Sequence, residues 1–251
     1  MTANYHTHTR WCRHGSGEIE DYIKEAVVRG LSELAITEHV PLPGDPDSRR
    51  MYCGELDAFD REFNGLIKKY SGRITVRKGL ECEYYPDLLG YYRDLKEKRG
   101  YEILLLGQHT SIDRSLDNFA LSRPKEVLRY ADEVIEGLET GLFTFLAHPD
   151  VPIAGYGRVD DAFLEAMDAI FSACERLGIP AEINANGLLH ERGYPCREAW
   201  KLAANYRLDC LVSADAHHVE NLVCPSVGQC EAMARELGLT VLSRLPACSP
   251  G

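Results

Sequence analysis

Histidines in this sequence fall at places where they could bind metal ions. Seven of the nine follow a short β-rich segment or lie in the loop just after one. These seven are His6, His8, His14, His39, His109, His148 and His217. Two carboxylates, Glu81 and Asp215, stand at similar segment ends. Because imidazole and carboxylate groups bind zinc, iron, manganese and nickel in proteins, this set predicts a metal centre.

Spacing within the set supports the same chemistry. His6 and His8 are two positions apart, and so are Asp215 and His217. On an extended segment such residues point to one face, so each pair could bind one ion. A lone histidine would more simply be a surface or core residue, but this many buried together without a cation would leave polar groups unpaired. The nine candidate ligands exceed the roughly four to six that one ion takes. The set therefore implies two or three divalent transition-metal ions that share a bridging carboxylate, and zinc, iron, manganese and nickel all suit these ligands.

The elements that must position these ligands alternate between β and α patterns. Seven strands are predicted, at 4–7, 33–37, 74–80, 102–106, 143–147, 181–184 and 210–214. A helix is predicted after each strand, at 18–29, 55–70, 87–99, 124–137, 160–177, 196–206 and 226–237. Some strands are continuously apolar, as in a parallel sheet buried on both faces. The alternation indicates an α/β fold, either a βα barrel or a doubly wound sheet, in one domain over 1–251. In a barrel the C-terminal ends of all strands meet at one mouth.

Composition argues against several kinds of partner. The chain has 28 Lys and Arg against 39 Asp and Glu, a formal charge of −11, and no long basic run, so nucleic acid is not an expected partner. No apolar leader and no stretch near about 18 apolar residues is present, so we expect a cytoplasmic protein without a membrane partner. The nine cysteines include no Cys-x-x-Cys pair, so we expect reduced thiols and no cysteine zinc site.

Ordered motifs in the sequence resemble those of the PHP (polymerase and histidinol phosphatase) family, and specifically its stand-alone histidinol phosphatase branch. They are HTHTRWCRHG at 6–15, TEHVPLP at 37–43, GLE at 79–81, GQH at 107–109, LAHPD at 146–150, EINANGL at 182–188 and SADAH at 213–217. The resemblance covers nearly the whole chain. It implies a distorted seven-stranded, TIM-like (βα)7 barrel with three metal ions at the C-terminal ends of the strands.

The resemblance also implies how the ligands divide among the ions. One ion would be held by His6, His8, Glu81 and Asp215. Glu81 would bridge to a second ion held by His109 and His148, and the third would be held by His14, His39 and His217. Glu83 competes with Glu81 because the two share a face of a strand, but Glu81 alone fits the Gly-x-Glu spacing of the family.

The reaction that the resemblance implies is phosphomonoester hydrolysis, with a metal-bridging hydroxide as the nucleophile. No Gly-x-Ser-x-Gly or Cys-x5-Arg motif offers a protein nucleophile instead. Arg158 and Arg192 follow strand ends and could bind the phosphate, or they could be solvated surface arginines. Many histidinol phosphatases carry Arg-Lys where this chain has Leu189-His190, and Arg192 is the candidate replacement. The leaving-group acid is not identified, although His190 and His218 have no other assigned role.

The leading hypothesis is a metal-dependent phosphatase of histidine biosynthesis that hydrolyses L-histidinol phosphate to L-histidinol and phosphate. It would act on a small phosphomonoester as a monomer or a homodimer. One alternative is a PHP phosphoesterase for another small phosphate, such as a nucleotide or sugar phosphate. Another is a catalytically silent metal-binding PHP module, which is disfavoured because all nine ligand positions are filled.

Overall fold

A computed structural model describes residues 1–45 and 47–246 of the chain. In this part, one sheet contains eight strands in chain order, and each neighbouring pair is parallel. The strands are β1 (Ala3–Asn4), β2 (Glu33–His39), β3 (Thr75–Cys82), β4 (Ile103–Leu106), β5 (Phe145–Leu146), β6 (Ala181–Asn184), β7 (Asp209–Ser213) and β8 (Thr240–Val241). A doubly wound sheet reverses its strand order at a switch point, and this sheet does not.

Helices connect the successive strands and pack against the sheet. They are α1 (Ile19–Val28), α2 (Leu56–Tyr70), α3 (Leu89–Arg99), α4 (Pro124–Glu139), α5 (Ile153–Tyr156), α6 (Asp161–Leu177), α7 (Ala185–Leu189), α8 (Arg197–Ala203) and α9 (Pro225–Glu236). All seven predicted helices are confirmed to within a few residues. The short α5 and α7 were not predicted, and they follow β5 and β6 within the polar loops at the strand ends.

Apolar side chains of the strands fill two layers. In β4, Ile103 and Leu105 pack inside the curl of the sheet, whereas Leu104 and Leu106 pack on the side that carries the helices. Successive side chains of a strand point to opposite faces, so a continuous apolar run is what two buried faces require. The prediction that this strand is buried on both faces is confirmed.

The first and seventh strands approach each other beyond their regular ends. Thr7 and Ala216 form a parallel bridge, and the His8 N–H donates to the Ala216 carbonyl oxygen at 2.9 Å. At the opposite end of β7, Asp209 pairs with Thr240 of β8. The prediction of seven strands missed β8, because its two exposed residues are too few to show a strand pattern.

Cysteines in the described part of the chain form no disulfide, since all eight of them are free. Cys248 lies outside the described residues. Within 1–45 and 47–246, none of the helices combines the length and the apolar character needed to cross a bilayer.

We predict that Gly79→Ala destabilises the sheet. A Cβ at Gly79 would lie 2.7 Å from Thr37 Cγ2 and 2.8 Å from the Ile103 carbonyl oxygen, so β3 would be pushed from both neighbouring strands. Overpacking of this kind costs about 1–3 kcal/mol, measurable as a lower free energy of unfolding in urea. The control is Gly65→Ala, whose Cβ meets nothing within 4 Å on helix α2 and should stabilise by about 0.5–1 kcal/mol. Equal effects of the two substitutions would contradict this packing argument.

Candidate metal centre

The carboxylate of Glu81 lies at the centre of a group of histidines. Glu81 is near the C-terminal end of β3 and is almost fully buried. Five imidazole nitrogens lie within 3.4 Å of its oxygens: His39 Nδ1 at 2.9 Å, His148 Nε2 at 3.0 Å, His8 Nε2 at 3.3 Å, His109 Nε2 at 3.3 Å and His6 Nε2 at 3.4 Å. The histidines come from loops or strand ends that follow β1, β2, β4 and β5, and the parallel sheet brings those ends together.

Asp215 supplies a second carboxylate at the same edge of the sheet. Its Oδ1 lies 3.3 Å from His8 Nε2 and 3.5 Å from His6 Nε2. Its Oδ2 accepts hydrogen bonds from the side-chain amides of Asn184 at 3.1 Å and Asn186 at 3.0 Å. One oxygen of Asp215 is therefore fixed by amides, while the other faces the imidazoles.

The two remaining predicted ligands, His14 and His217, extend the cluster. The His217 ring lies 4.3 Å from that of His8 and 4.7 Å from that of His14, measured between centroids. The His14 ring is also 5.2 Å from that of His39. His14 is more exposed than the others, and its Nδ1 lies within hydrogen-bond distance of the backbone oxygens of Cys12 and Arg49. All nine side chains predicted as ligands thus lie in one contiguous cluster.

Two further carboxylates orient the histidines from behind. Glu182 Oε1 lies 2.8 Å from His6 Nδ1, and Glu83 Oε1 lies 2.8 Å from His109 Nδ1. In each case the carboxylate faces one ring nitrogen and leaves Nε2 directed at Glu81. Such contacts fix the tautomer and orientation of a metal-ligating imidazole. Glu83, weighed in the sequence as a rival of Glu81, takes this supporting position.

Sequence reasoning did not assign these supporting residues, although signals for some were present. Glu182, Asn184 and Asn186 alternate at intervals of two in a motif already singled out, so the first two share a face of β6. Their shared orientation toward the strand-end cluster could have been predicted from that spacing. Arg50, which pairs with Glu83, has no such signal because it lies in a loop.

Electrostatics of the two central carboxylates are set by the surrounding rings. Burial alone would raise the pKa of Glu81, but imidazoles, His109 foremost, hold it well below the usual range. Burial would likewise raise the pKa of Asp215, and neighbouring imidazoles with His6 foremost hold it well below its usual value. Both groups are therefore charged near neutral pH and present anionic oxygens to the cluster.

The imidazoles differ among themselves in protonation. Burial lowers the pKa of His109, but the charges of Glu81 and Glu83 outweigh it and raise that pKa to about 10. At His217, burial and the neighbouring His8 lower the pKa to about 3. Some rings therefore carry protons that balance the carboxylates, while others are neutral with a free lone pair.

Several buried polar atoms of the cluster make no hydrogen bond of good geometry among the described residues, although some lie 2.9–3.5 Å from an atom of Glu81, Asp215 or a histidine: His6 Nε2, His8 Nδ1, His8 Nε2, His39 Nδ1, His148 Nδ1 and Asp215 Oδ1. Each unpaired buried group costs about 1–3 kcal/mol, which a bound cation would offset. Five sets of three ligand atoms lie within 4.8 Å of one another among the described residues. Three consist of predicted ligands alone: those of His6, His8 and Glu81, of His39, Glu81 and His109, and of His8, His39 and His217. The other two include the Cys12 thiol, with His14 and His217 or with His8 and Glu38, although the sequence predicted no cysteine ligand. The donor set therefore fits divalent transition-metal ions.

Backbone conformation is strained at two of the nine ligands. His148 has φ of 28° and Asp215 has φ of 47°, in the left-handed region that most side chains avoid. The His148 N–H donates to Glu182 Oε2 at 3.1 Å, which holds the turn after β5 in place. Strain of this kind persists where surrounding contacts enforce it, and it is common at functional sites.

A cavity of about 510 Å³ opens over the cluster. It is lined by His14, His39, Asp47, Arg49, Arg50, Glu81, His109, Thr110, Asp117, Phe119, His148, Asn186, Arg192, Tyr194, Asp215 and His217. The aromatic ring of Phe119 stacks on His109 with 5.6 Å between centroids, and Arg192 lies 6.0 Å from the Phe119 centroid. A small molecule in this cavity would contact the metal ligands, aromatic faces and charged groups of both signs.

Arg158, predicted as a phosphate-binding candidate, does not line this cavity. Its guanidinium lies 4.3 Å from the Tyr156 ring centroid and donates to the Ser122 carbonyl oxygen at 3.1 Å. These contacts engage an exposed side chain outside the cavity lining, so the geometry gives no support to the prediction that Arg158 binds phosphate. His190 and His218 are also exposed and outside the cavity lining, so neither is placed to protonate a leaving group there.

Comparison with known families agrees with this arrangement. A profile of the PHP domain matches residues 4–186 of this chain, well over half of its length. The chain belongs to the PHP domain family. The matched segment carries seven of the nine predicted ligands, and Asp215 and His217 follow it in the sequence.

Relatives of this PHP domain include proteins named histidinol phosphatases. The "Probable histidinol-phosphatase" of Deinococcus radiodurans is 25% identical over 227 residues, which cover 84% of this chain and 85% of the relative. The histidinol-phosphatase of Bacillus subtilis is 37% identical over 89 residues, 33% of each chain. The solved structure of histidinol phosphate phosphatase from Lactococcus lactis, complexed with zinc, L-histidinol and phosphate, has a TM-score of 0.77 at 17% identity and covers 96% of this chain and 95% of that one. At this identity the structural likeness demonstrates a shared fold.

We predict that Gly107→Ala weakens metal binding to the PHP domain. A Cβ at Gly107 would lie 2.1 Å from Glu81 Oε1, so the central carboxylate must move away from its imidazoles. Zinc affinity, measured by competition with a chelator, should fall by about 10- to 100-fold. Gly90→Ala, in open space on helix α3, is the matched control and should keep wild-type affinity. Wild-type zinc affinity in Gly107→Ala would argue against a central role for Glu81.

We also predict that zinc binding releases protons. With a pKa raised to about 10, the His109 ring is protonated at pH 7.5, and ligation would require its Nε2 lone pair. The apparent zinc affinity should therefore rise with pH between 6 and 8, by about tenfold per unit for each proton displaced. Calorimetry in buffers of different ionisation enthalpy gives the number of protons released. An affinity independent of pH in this range would contradict the expected protonation of the cluster.

Proposed function

We propose that this chain is a metal-dependent phosphomonoesterase that hydrolyses L-histidinol phosphate to L-histidinol and phosphate. The observation that carries the proposal is the Glu81 carboxylate among five imidazoles, with unpartnered buried nitrogens beneath a cavity of about 510 Å³. Membership of the PHP domain family and the names of the relatives support the reaction and the substrate.

Two or three divalent ions, zinc, iron, manganese or nickel, are the proposed cofactors. We assign His6, His8, Glu81 and Asp215 to one ion; His109 and His148, with Glu81 bridging, to a second; and His14, His39 and His217 to a third. Contacts of Glu81 with His6, His8, His109 and His148 support the first two groups. His39 is assigned to the third ion, yet its Nδ1 lies 2.9 Å from Glu81 Oε2, the shortest of the five imidazole contacts of Glu81, so its assignment most needs testing. In this proposal the first seven strands form the distorted barrel, and the ions lie at its C-terminal mouth.

Ions bound there would lower the pKa of a water molecule and neutralise phosphate oxygens as charge develops. The protein supplies orientation and desolvation. Glu83 and Glu182 hold His109 and His6 from behind, and Asn184 and Asn186 fix Asp215. Rigid placement of this kind contributes to catalysis because the ligands need not reorganise during the reaction.

The cavity offers complementary groups for each part of L-histidinol phosphate. This substrate combines an imidazole ring, an ammonium group and a phosphate. Phe119 and Tyr194 line the cavity with aromatic rings that suit the imidazole. Asp47, paired with Arg49, and Asp117, which accepts from the Phe119 N–H, are the lining carboxylates that an ammonium group could approach. Arg192 lies on the same wall, where it could approach the phosphate.

A phosphomonoesterase for another small phosphate is the second candidate, and one feature favours it. Leu189 and His190 stand where many histidinol phosphatases carry Arg-Lys, and both are exposed and outside the cavity lining. A nucleotide or sugar phosphate would use the same metal centre with different loop contacts.

Steady-state kinetics of the metal-loaded protein test the proposal. We expect kcat/KM for L-histidinol phosphate to exceed that for nucleotide and sugar monophosphates by at least about tenfold, an advantage of about 1.4 kcal/mol in transition-state binding. Asp215→Ala should lose turnover while its circular dichroism spectrum is unchanged, since Asp215 is assigned as a ligand. Arg158→Met, which changes an exposed residue outside the cavity, should retain full activity. A higher kcat/KM for another phosphate would replace the proposed substrate, and absence of any phosphatase activity would overturn the reaction.

A further inference from the structure

Arg50 is the buried guanidinium in the wall of the cavity. It lies in the loop between β2 and α2 and is 7% exposed, although arginines are seldom buried. Two other arginines line the same cavity, Arg49 and Arg192, and both are exposed. A buried arginine requires an account of where its hydrogen bonds go.

The known contacts of Arg50 satisfy only part of its guanidinium. Nη2 donates to Glu83 Oε1, whereas Nε and Nη1 have no hydrogen-bond partner among the described residues. The Oδ2 of Asp47 is 3.5 Å from Nε, and Asp47 already accepts two hydrogen bonds from the Arg49 side chain. Arginine offers five N–H donors in a planar fork, and those on Nε and Nη1 of Arg50 are buried at the cavity wall without an acceptor in the part of the chain that the structure describes.

Glu83 has its own contacts that limit its capacity to satisfy Arg50. Its Oε1 faces His109 Nδ1 at 2.8 Å, and its Oε2 accepts from the backbone N–H groups of His109 and Thr110 at 2.8 and 3.2 Å. Glu83 is therefore shared between a proposed metal ligand and Arg50. The ion pair fixes the position of Arg50 without filling its donor fork.

We propose that Arg50 binds the phosphate group of the substrate, with its free N–H donors as the recognition element. This inference rests on the proposed phosphomonoesterase activity. A planar fork that is fixed by an ion pair and lines the cavity containing the metal ligands is suited to bind two oxygens of a phosphate. Arg50 thus takes the phosphate-binding role that was predicted for Arg158 from the sequence. Arg192 lines the same cavity but is more exposed.

Calorimetric titration of inorganic phosphate into the metal-loaded protein tests this role apart from turnover. Arg50→Met keeps most of the side-chain volume and removes the fork, so the Kd for phosphate should rise by about 10- to 100-fold. Arg50→Lys keeps the charge without the fork and should fall between Met and wild type, which also covers the case in which Arg50→Met does not fold. Arg158→Met is the matched control, with an unchanged Kd. Metal content and the affinity for L-histidinol, which lacks phosphate, should stay within about twofold in both Arg50 variants.

Two results would overturn the inference. One is a phosphate Kd that stays at the wild-type value in the Arg50 variants. The other is a parallel loss of metal and of L-histidinol affinity, which would make Arg50 a positioning residue that acts through Glu83 on His109. If wild-type protein binds phosphate through Arg50 but does not hydrolyse L-histidinol phosphate, the proposed substrate fails and the phosphate site stands.

Discussion

Burial of the Glu81 carboxylate is the constraint on which the rest of the site depends. An anionic oxygen pair without solvent is stable only if positive or hydrogen-bonding groups surround it, and here five imidazoles do so. The surrounding sheet must leave room for the group. Gly107 provides that room at the end of β4, because any side chain there would occupy the position of Glu81 Oε1.

A second layer of charge explains why the imidazoles hold their positions. Glu182 and Glu83 bind the far nitrogens of His6 and His109, so two additional negative charges lie behind the histidines. These charges favour the binding of cations at the histidine cluster. The whole chain is acidic as well, with a formal charge of −11. A divalent-ion cluster together with Arg50 would make the mouth locally positive, so a small phosphate could bind to a protein that repels long polyanions.

Strand ends made the proposed metal ligands predictable from sequence. All nine follow or end β patterns, and in a parallel sheet such positions converge regardless of their distance along the chain. Loop residues far from a strand end obey no comparable rule. Arg158 and Arg192 were both predicted to bind phosphate, and tertiary contacts separate them: Tyr156 and the Ser122 carbonyl hold Arg158 at the surface, whereas Arg192 lines the cavity. Arg50 was overlooked because a loop arginine beside another arginine shows no spacing that indicates burial.

The proposed metal ligands lie at or just after strand ends, whereas the residues that would select the substrate lie in the loops. Register between β2 and β3 aligns His39 with Glu81, so the backbone positions of these two ligands are fixed by the sheet. The cavity wall instead comes from the loop with Arg50, the segment around Phe119 and the turn carrying Arg192. Loop sequences can change without disturbing the sheet. The same centre would therefore act on a different phosphomonoester if these loops presented other contacts to the substrate.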